Sequence, residues 1–393
     1  MRLLTLKTEN FRNLYENPPQ FSDGINVLYG NNAAGKTNTL EAVYLFATGK
    51  SFRTRNESDF INHNENYTRL EIEYHKSSLA RTMSIAYARN GTKALKGMQV
   101  EGMSVDRVSE FLGNFRAVLF TPDHLGLVKG APEERRHLVD VALCQIKPRY
   151  VKSLNDYSKV LMQRNNYLKS IKLSNKKADF DYLDVLNLQL SNAGAVIIKQ
   201  RGLYCEKLSE LSRQMYSRLT EHSEQLYIRY LSRVNTNAFT DEKEISDALY
   251  KMYSSDNVKD TEQGRTRHGP HYDELMIYVA KKEEKDLIYA RQKQDFDNDL
   301  GDYSARTFGS QGQQRSAVLS IKLAEGEIVK EKCGEYPVYL LDDLYSELDA
   351  NRRERLSGMF RNRQCIITCC DDTALPKNTD FNIIKVENGK YSR

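Results

Sequence analysis

The sequence predicts an α/β fold whose central sheet is assembled from both ends of the chain and interrupted by a helical insertion. Three observations carry that prediction. A phosphate-loop string, "GNNAAGKTN", spans Gly30 to Asn38. An apolar run that ends in two acids, "YPVYLLDDLYSELD", spans Tyr336 to Asp349. Between them lies a long proline-free stretch: of the eight prolines, none falls between Pro148 and Pro270. A site made from the first two must bring its parts together, so the chain has to leave the sheet and return.

The phosphate loop comes first. Gly30, Gly35, Lys36 and Thr37 sit at the positions that G-x-x-x-x-G-K-[ST] requires. The glycines let the backbone curl so that successive N–H groups through Asn31, Asn32, Ala33 and Ala34 point inward at an anion. Lys36 adds a compact charge for β- and γ-phosphates, and the Thr37 hydroxyl can ligate magnesium. "GINVLYG" reads as a short buried strand entering the loop. "KTNTLEAVYLFATG" reads as the helix leaving it, with Leu40, Val43, Tyr44 and Ala47 at helical spacing. Its N-terminus, near Asn38, turns its dipole toward the phosphates.

Length and composition bound the rest. At 393 residues the chain has room for two or three domains, and 40% hydrophobic residues suffice for their cores. A net charge of +5 is compatible with a polyanionic partner without indicating one. No apolar run approaches the roughly 20 residues that span a bilayer. "MRLLTLKTENFRNL" reads as a strand and turn, not as a signal peptide. Six cysteines contain no C-x-x-C pair, and "CIITCC" packs three of them into one short run. Reduced thiols in and beside a buried strand fit best, and a cytoplasmic location is expected.

From residue 67 to 103, alternating runs suggest an antiparallel meander. "DRVSEFLGN" then reads as a helix and "RAVLF" as a strand. In the proline-free stretch, Leu154, Tyr157, Leu161, Leu168 and Ile171 follow a 3–4 repeat. A second helix is expected from about Tyr182 to Thr220, carrying Leu208, Leu211, Met215 and Leu219 along one face. "SNKKADFD" supplies the turn of an antiparallel hairpin or small bundle. "EQLYIRYLSR" returns to a strand, and "KDTEQGRTRHG" reads as a loop. His268 and His271 read as loop residues, because Gly269 and Pro270 forbid a regular helix between them.

Near the end, "GSQGQQRSAVLSIKLAE" opens a helix at Ser310. Two readings stand: a capping box joining Ser310 to Gln313, or a phosphate contact in which Gly312 allows close backbone approach and Ser310 offers its hydroxyl. Val338 to Leu341 then form a central parallel strand buried on both faces. Asp342, at its carboxyl end, can hold magnesium opposite Thr37. Asp343 sits where a base or water-positioning group is needed. The domains expected are residues 1–142 and 263–393 for the two halves of a head, with 143–262 as the helical insertion.

The order of these elements resembles the ABC-type ATPase heads of the SMC and RecF group. Further strings support the likeness across nearly the whole chain, among them "NFRN", "GKSFRT", "FTPDHLGLVKGAPEERRHLVD", "QRNNYLK", "GPHYDEL" and "SQGQQRS". The resemblance implies two heads that pair around ATP and Mg2+, with slow hydrolysis acting as a timer. By position, Gly30 to Asn38 and Asp342 would serve the bound nucleotide and metal, and Asp343 would activate water. Ser310, Gly312 and Gln313 would complete the partner head's site, Asp349 would lie in the interface loop, and Arg12 would approach the nucleotide. It also implies binding to double-stranded and gapped DNA, an ATP-dependent homodimer, RecR- and RecO-type mediators as partners, and no membrane. A transporter subunit would keep the counterpart of the S-x-G-x-Q signature, which here begins at Ser310, nearer the phosphate loop, and an SMC-like tether would need a far longer coiled coil. Tyr272, Glu274 and "TCCDD" depart from the group's usual strings, as does a longer hairpin around "AKKEEKDLIYARQKQDFDND". Arg135, Arg136, Lys147, Arg149 and Lys152 are basic residues that could face DNA phosphates.

Overall fold

The computed structural model describes residues 1–15, 17–91, 93–174, 177–220, 224–234, 241–280, 310–344, 348–360, 362–370 and 381–392. The chain forms two compact units. The first comprises Met1–Leu125, Gln214–His222 and Arg315–Arg393; the second comprises Gly126–Arg213 and Ser223–Gln314.

The first unit is built on two sheets. Strand β1 (Arg2–Glu9) pairs antiparallel with β3 (Tyr67–Lys76), which continues through β4 (Leu79–Asn90) and β5 (Lys93–Val100) to the short β6 (Met103–Ser104). The expected meander is therefore present, with β1 added at its edge. The second sheet uses β2 (Ile25–Tyr29), β7 (Ala117–Phe120), β10 (Val338–Leu341), β11 (Cys365–Cys369), β12 (Phe381–Glu387) and β13 (Lys390–Ser392), in the order β13-β12-β2-β11-β10-β7. All neighbours run parallel except the terminal β12–β13 hairpin. Two strands come from the first third of the chain and four from the last, so the head is indeed made from both ends. β10 and β11 are buried along their whole length, as their unbroken apolar runs require. Helix α1 (Lys36–Thr48) packs Leu40, Val43, Phe46 and Ala47 into the same core as Leu340, Ile366 and Val386. "DRVSEFLGN" contributes only one helical turn, α2 (Val108–Phe111).

The second unit begins earlier and ends later than residues 143–262. A short α3 (Gly126–Lys129) and α4 (Pro132–Ile146) belong to it. Arg135 of α4 forms two hydrogen bonds to Glu274, at 2.9 and 3.0 Å, which ties α4 to β9 (Glu274–Ala280). Strand β9 pairs antiparallel with β8 (Gln225–Leu231).

Helices α5 (Pro148–Ser174) and α6 (Phe180–Leu219) form the expected antiparallel pair. Tyr167 packs against Tyr182 near the turn, Arg164 bonds Asn187, and Tyr150 bonds Arg201 at the far end. Leu208, Leu211, Met215 and Leu219 are all buried. A third helix completes a bundle: α7 (Glu242–Gln263), capped by Asp241 and ended by Gly264 in the left-handed conformation. It takes in the first part of "KDTEQGRTRHG", so the loop starts only at Gly264. The longer hairpin expected around residues 281–300 lies outside the described residues.

Candidate nucleotide site

Local backbone demands explain the loop sequence. Gly35, with φ of 114°, caps α1, and a Cβ there would meet the Leu14 Cδ2 at 2.8 Å. At Gly30 a Cβ would sit 2.1 Å from the Val386 carbonyl oxygen. Both positions therefore exclude any larger residue. Ala33 takes a left-handed φ of 63°, the kind of strain that binding loops hold.

The loop is braced from behind. The Gly389 N–H donates to the Ala34 carbonyl at 2.8 Å, and Asn13 Nδ2 donates to the Ala33 carbonyl at 3.1 Å. Asn38 Nδ2 donates to Asn13 Oδ1 at 2.7 Å. On α1, the buried Thr39 hydroxyl meets the Tyr391 hydroxyl at 2.8 Å. The β12–β13 hairpin thus sets the height of the loop, a role that sequence reasoning missed. Its "ENGK" turn looks like any hairpin turn until the contact with Ala34 is seen.

Lys36 is buried beneath the loop. Its ammonium donates to the carbonyls of Gly30 at 2.5 Å and Asn31 at 2.8 Å, and to Cys370 Sγ at 3.3 Å. The Cys370 thiol donates in turn to Asn32 Oδ1 at 3.0 Å. All cysteines of the chain are free thiols, with Cys365 and Cys369 buried in β11.

The acidic strand meets the loop. Thr37 Oγ1 lies 3.0 and 3.2 Å from the two carboxylate oxygens of Asp342, across 305 positions of sequence. Thr368 Oγ1 donates to Asp342 Oδ1 at 2.8 Å and accepts from the Asp343 N–H at 2.8 Å. Parallel register accounts for this: Leu341 pairs with Ile367, so the next residues, Asp342 and Thr368, emerge side by side. That register was the missing signal for Thr368. Burial raises the Asp342 pKa above its ordinary value, opposed by the Thr368 and Thr37 hydrogen bonds. Asp343 has a left-handed φ of 49°, which turns the chain sharply where the two acids meet.

Arg12, also with positive φ, is held by Glu41 of α1 at 2.5 and 2.7 Å. Glu41 is fully buried and accepts from Ser51 as well. Arg12 therefore lies along the flank of the loop helix. Asp349 caps the helix Ala350–Met359, accepting the Arg352 N–H at 2.9 Å.

Ser310, Gly312 and Gln313 lie in the second unit, at the start of the signature helix (Gln311–Cys333). The capping box is present. The Gln313 N–H donates to Ser310 Oγ at 3.2 Å, and the Ser310 N–H donates to Gln313 Oε1 at 2.6 Å. Ser310 stays exposed. Of the basic residues considered for DNA, Arg135 is buried against Glu274, Arg136 donates to the Asp273 carbonyl, Lys147 bonds Gln200 and Arg149 bonds Glu242; Lys152 is exposed.

The family model for the RecF/RecN/SMC N-terminal domain matches residues 2–392. The DNA replication and repair protein RecF of Clostridium perfringens is 34% identical over 393 residues, covering 99% of both chains. The chain belongs to the RecF family. RecF of Clostridium botulinum is 36% identical over 387 residues, covering 98% of this chain and 97% of its own. A solved structure of the recombination mediator protein RecF-ATPrS in the RecFOR pathway superimposes with a TM-score of 0.85 at 30% identity. It covers 99% of this chain and 97% of that one. An SMC head bound to the C-winged helix domain of ScpA gives 0.53 at 14% identity, a likeness of fold alone. The head is accordingly an ABC-type ATPase head of the RecF and SMC kind.

Proposed function

We propose that this protein binds ATP and DNA in replication and recombinational repair, using slow hydrolysis as a switch between paired and separate heads. The observation that carries the reading is the contact of Thr37 with Asp342. It brings a phosphate-loop hydroxyl and a strand-end carboxylate to one point. RecF-family membership and the RecF-ATP likeness support ATP as the nucleotide.

The donor set also fits magnesium. Thr37 and Asp342 offer hard oxygens, and a partly buried carboxylate whose pKa is raised by desolvation gains from a divalent neighbour. When bound there, the ion would neutralise charge on the β- and γ-phosphates. Gly30 to Asn38 would cradle the phosphates through backbone N–H groups, and Lys36 would exchange its carbonyl contacts for phosphate oxygens. Thr368 fixes the Asp342 carboxylate. Asp343 would orient the attacking water, and its short side chain suits slow turnover. Arg12 would stand beside the nucleotide. Ser310, Gly312 and Gln313 would reach the γ-phosphate of a second copy, with Asp349 in the pairing loop. Duplex and gapped DNA and RecR- and RecO-type mediators complete the reading, in the cytoplasm.

The test is nucleotide binding by Lys36→Met. Loss of a charged contact worth roughly 1.5–3 kcal/mol should weaken ATP at least tenfold. Titration with a fluorescent ATP analogue that returns the parent affinity would refute the assignment.

A further inference from the structure

The Gln313 side chain has a second partner. Its Nε2 lies 2.8 Å from both carboxylate oxygens of Glu224, in the segment just before β8. A carboxylate only accepts hydrogen bonds, so it fixes which way the Gln313 amide points. The NH2 must face Glu224, and Oε1 is thereby turned to the Ser310 N–H, which donates to it at 2.6 Å. Ser310 Oγ already accepts from the Gln313 N–H. Its own O–H proton has no acceptor among the described residues, and the residue is exposed. The chain of orientation runs one way, from Glu224 through Gln313 to a serine with its donor facing solvent.

We propose that Glu224 is a positioning residue for the signature: it sets the polarity of the Ser310–Gln313 cap so that Ser310 presents a free O–H to an anion. This rests on the reading that Ser310 meets the γ-phosphate of a second copy. Without Glu224 the amide can flip. An NH2 then faces the Ser310 N–H, the cap loses its second bond, and Ser310 samples other rotamers. Glu224 itself touches no nucleotide in this arrangement.

The experiment measures ATP-dependent pairing of full-length protein by sedimentation, alongside ATP affinity of the monomer at the phosphate loop. Glu224→Ala should weaken pairing about tenfold and leave monomer ATP affinity unchanged. Glu224→Gln, whose carbonyl can still accept from Gln313, should restore most of the pairing. In a Gln313→Ala background, Glu224→Ala should add nothing, because the effect is relayed through that amide. Additive losses in the double variant, unaltered pairing in Glu224→Ala, or an equal fall in monomer ATP affinity would each overturn the proposal. Ser310→Arg serves as the reference. If it too pairs normally, the signature reading fails; if it blocks pairing while Glu224→Ala does not, only the role of Glu224 is lost.

Discussion

At Asp273 and His271, two residues apart, burial acts in opposite directions on stability. Desolvation raises Asp273 to about 6 from 3.8, opposed chiefly by Arg201 and a hydrogen bond from Tyr230. Desolvation lowers His271 to about 4 from 6.5. Between those values native Asp273 holds a proton that the unfolded chain has released. Its contribution is full below pH 3.8 and is lost as the pH rises through about 6. His271 does the reverse: the unfolded chain binds a proton that the native ring refuses, so its contribution is lost as pH falls from 6.5 toward 4. The two slopes oppose each other. Asp273→Asn should leave the histidine slope uncovered, with stability rising between pH 4.5 and 6.5 by on the order of 2 kcal/mol more than in the parent. Urea midpoints at both pH values measure this, and parallel behaviour of the two proteins would contradict it.

Among the elements, α7 shows why some of the fold was legible and some was not. Its first half repeats Ile245, Leu249 and Tyr253, all buried. Its second half buries Asn257 and Asp260 instead, because both face Arg164 of α5. A helical stripe that turns polar midway looks like a loop. Arg164 is itself fully buried and donates to Asn187, Asn257, Asp260 and Thr266, at 2.8 to 3.0 Å. "QRNNYLK" gave no hint that its arginine lies inside a bundle. By contrast the apolar faces of α5 and α6, the run Val338 to Leu341 and the loop glycines were readable, since each follows from a single local period or a backbone constraint. Thr368 and Gly389 were not, because their roles arise only from strand register and hairpin docking. Arg164→Leu should destabilise the second unit by about 3–5 kcal/mol, since the buried Asp260 carboxylate would lose its Arg164 partner and keep its bond from Arg267. Chemical denaturation followed by circular dichroism reads that loss; a change under about 1 kcal/mol would mean the network is solvated.

For the whole molecule, the decisive expectation concerns pairing. Ser310→Arg places a bulky cation on an exposed helix start of the second unit, whereas Thr37 and Asp342 both belong to the first. Monomer ATP affinity should stay within twofold of the parent, while ATP-driven dimers should be lost in sedimentation at matched protein concentration. Normal dimers of this variant would remove signature-mediated pairing from the account.

The β12–β13 hairpin carries a consequence for how the protein is made. Gly389 and Tyr391 hold Ala34 and Thr39, so the phosphate loop near the amino end waits on residues synthesised more than three hundred and fifty codons later. A ribosome that stalls or releases early yields a chain with every loop residue in place but without the wedge that shapes it. Such fragments should bind ATP far more weakly than the finished chain.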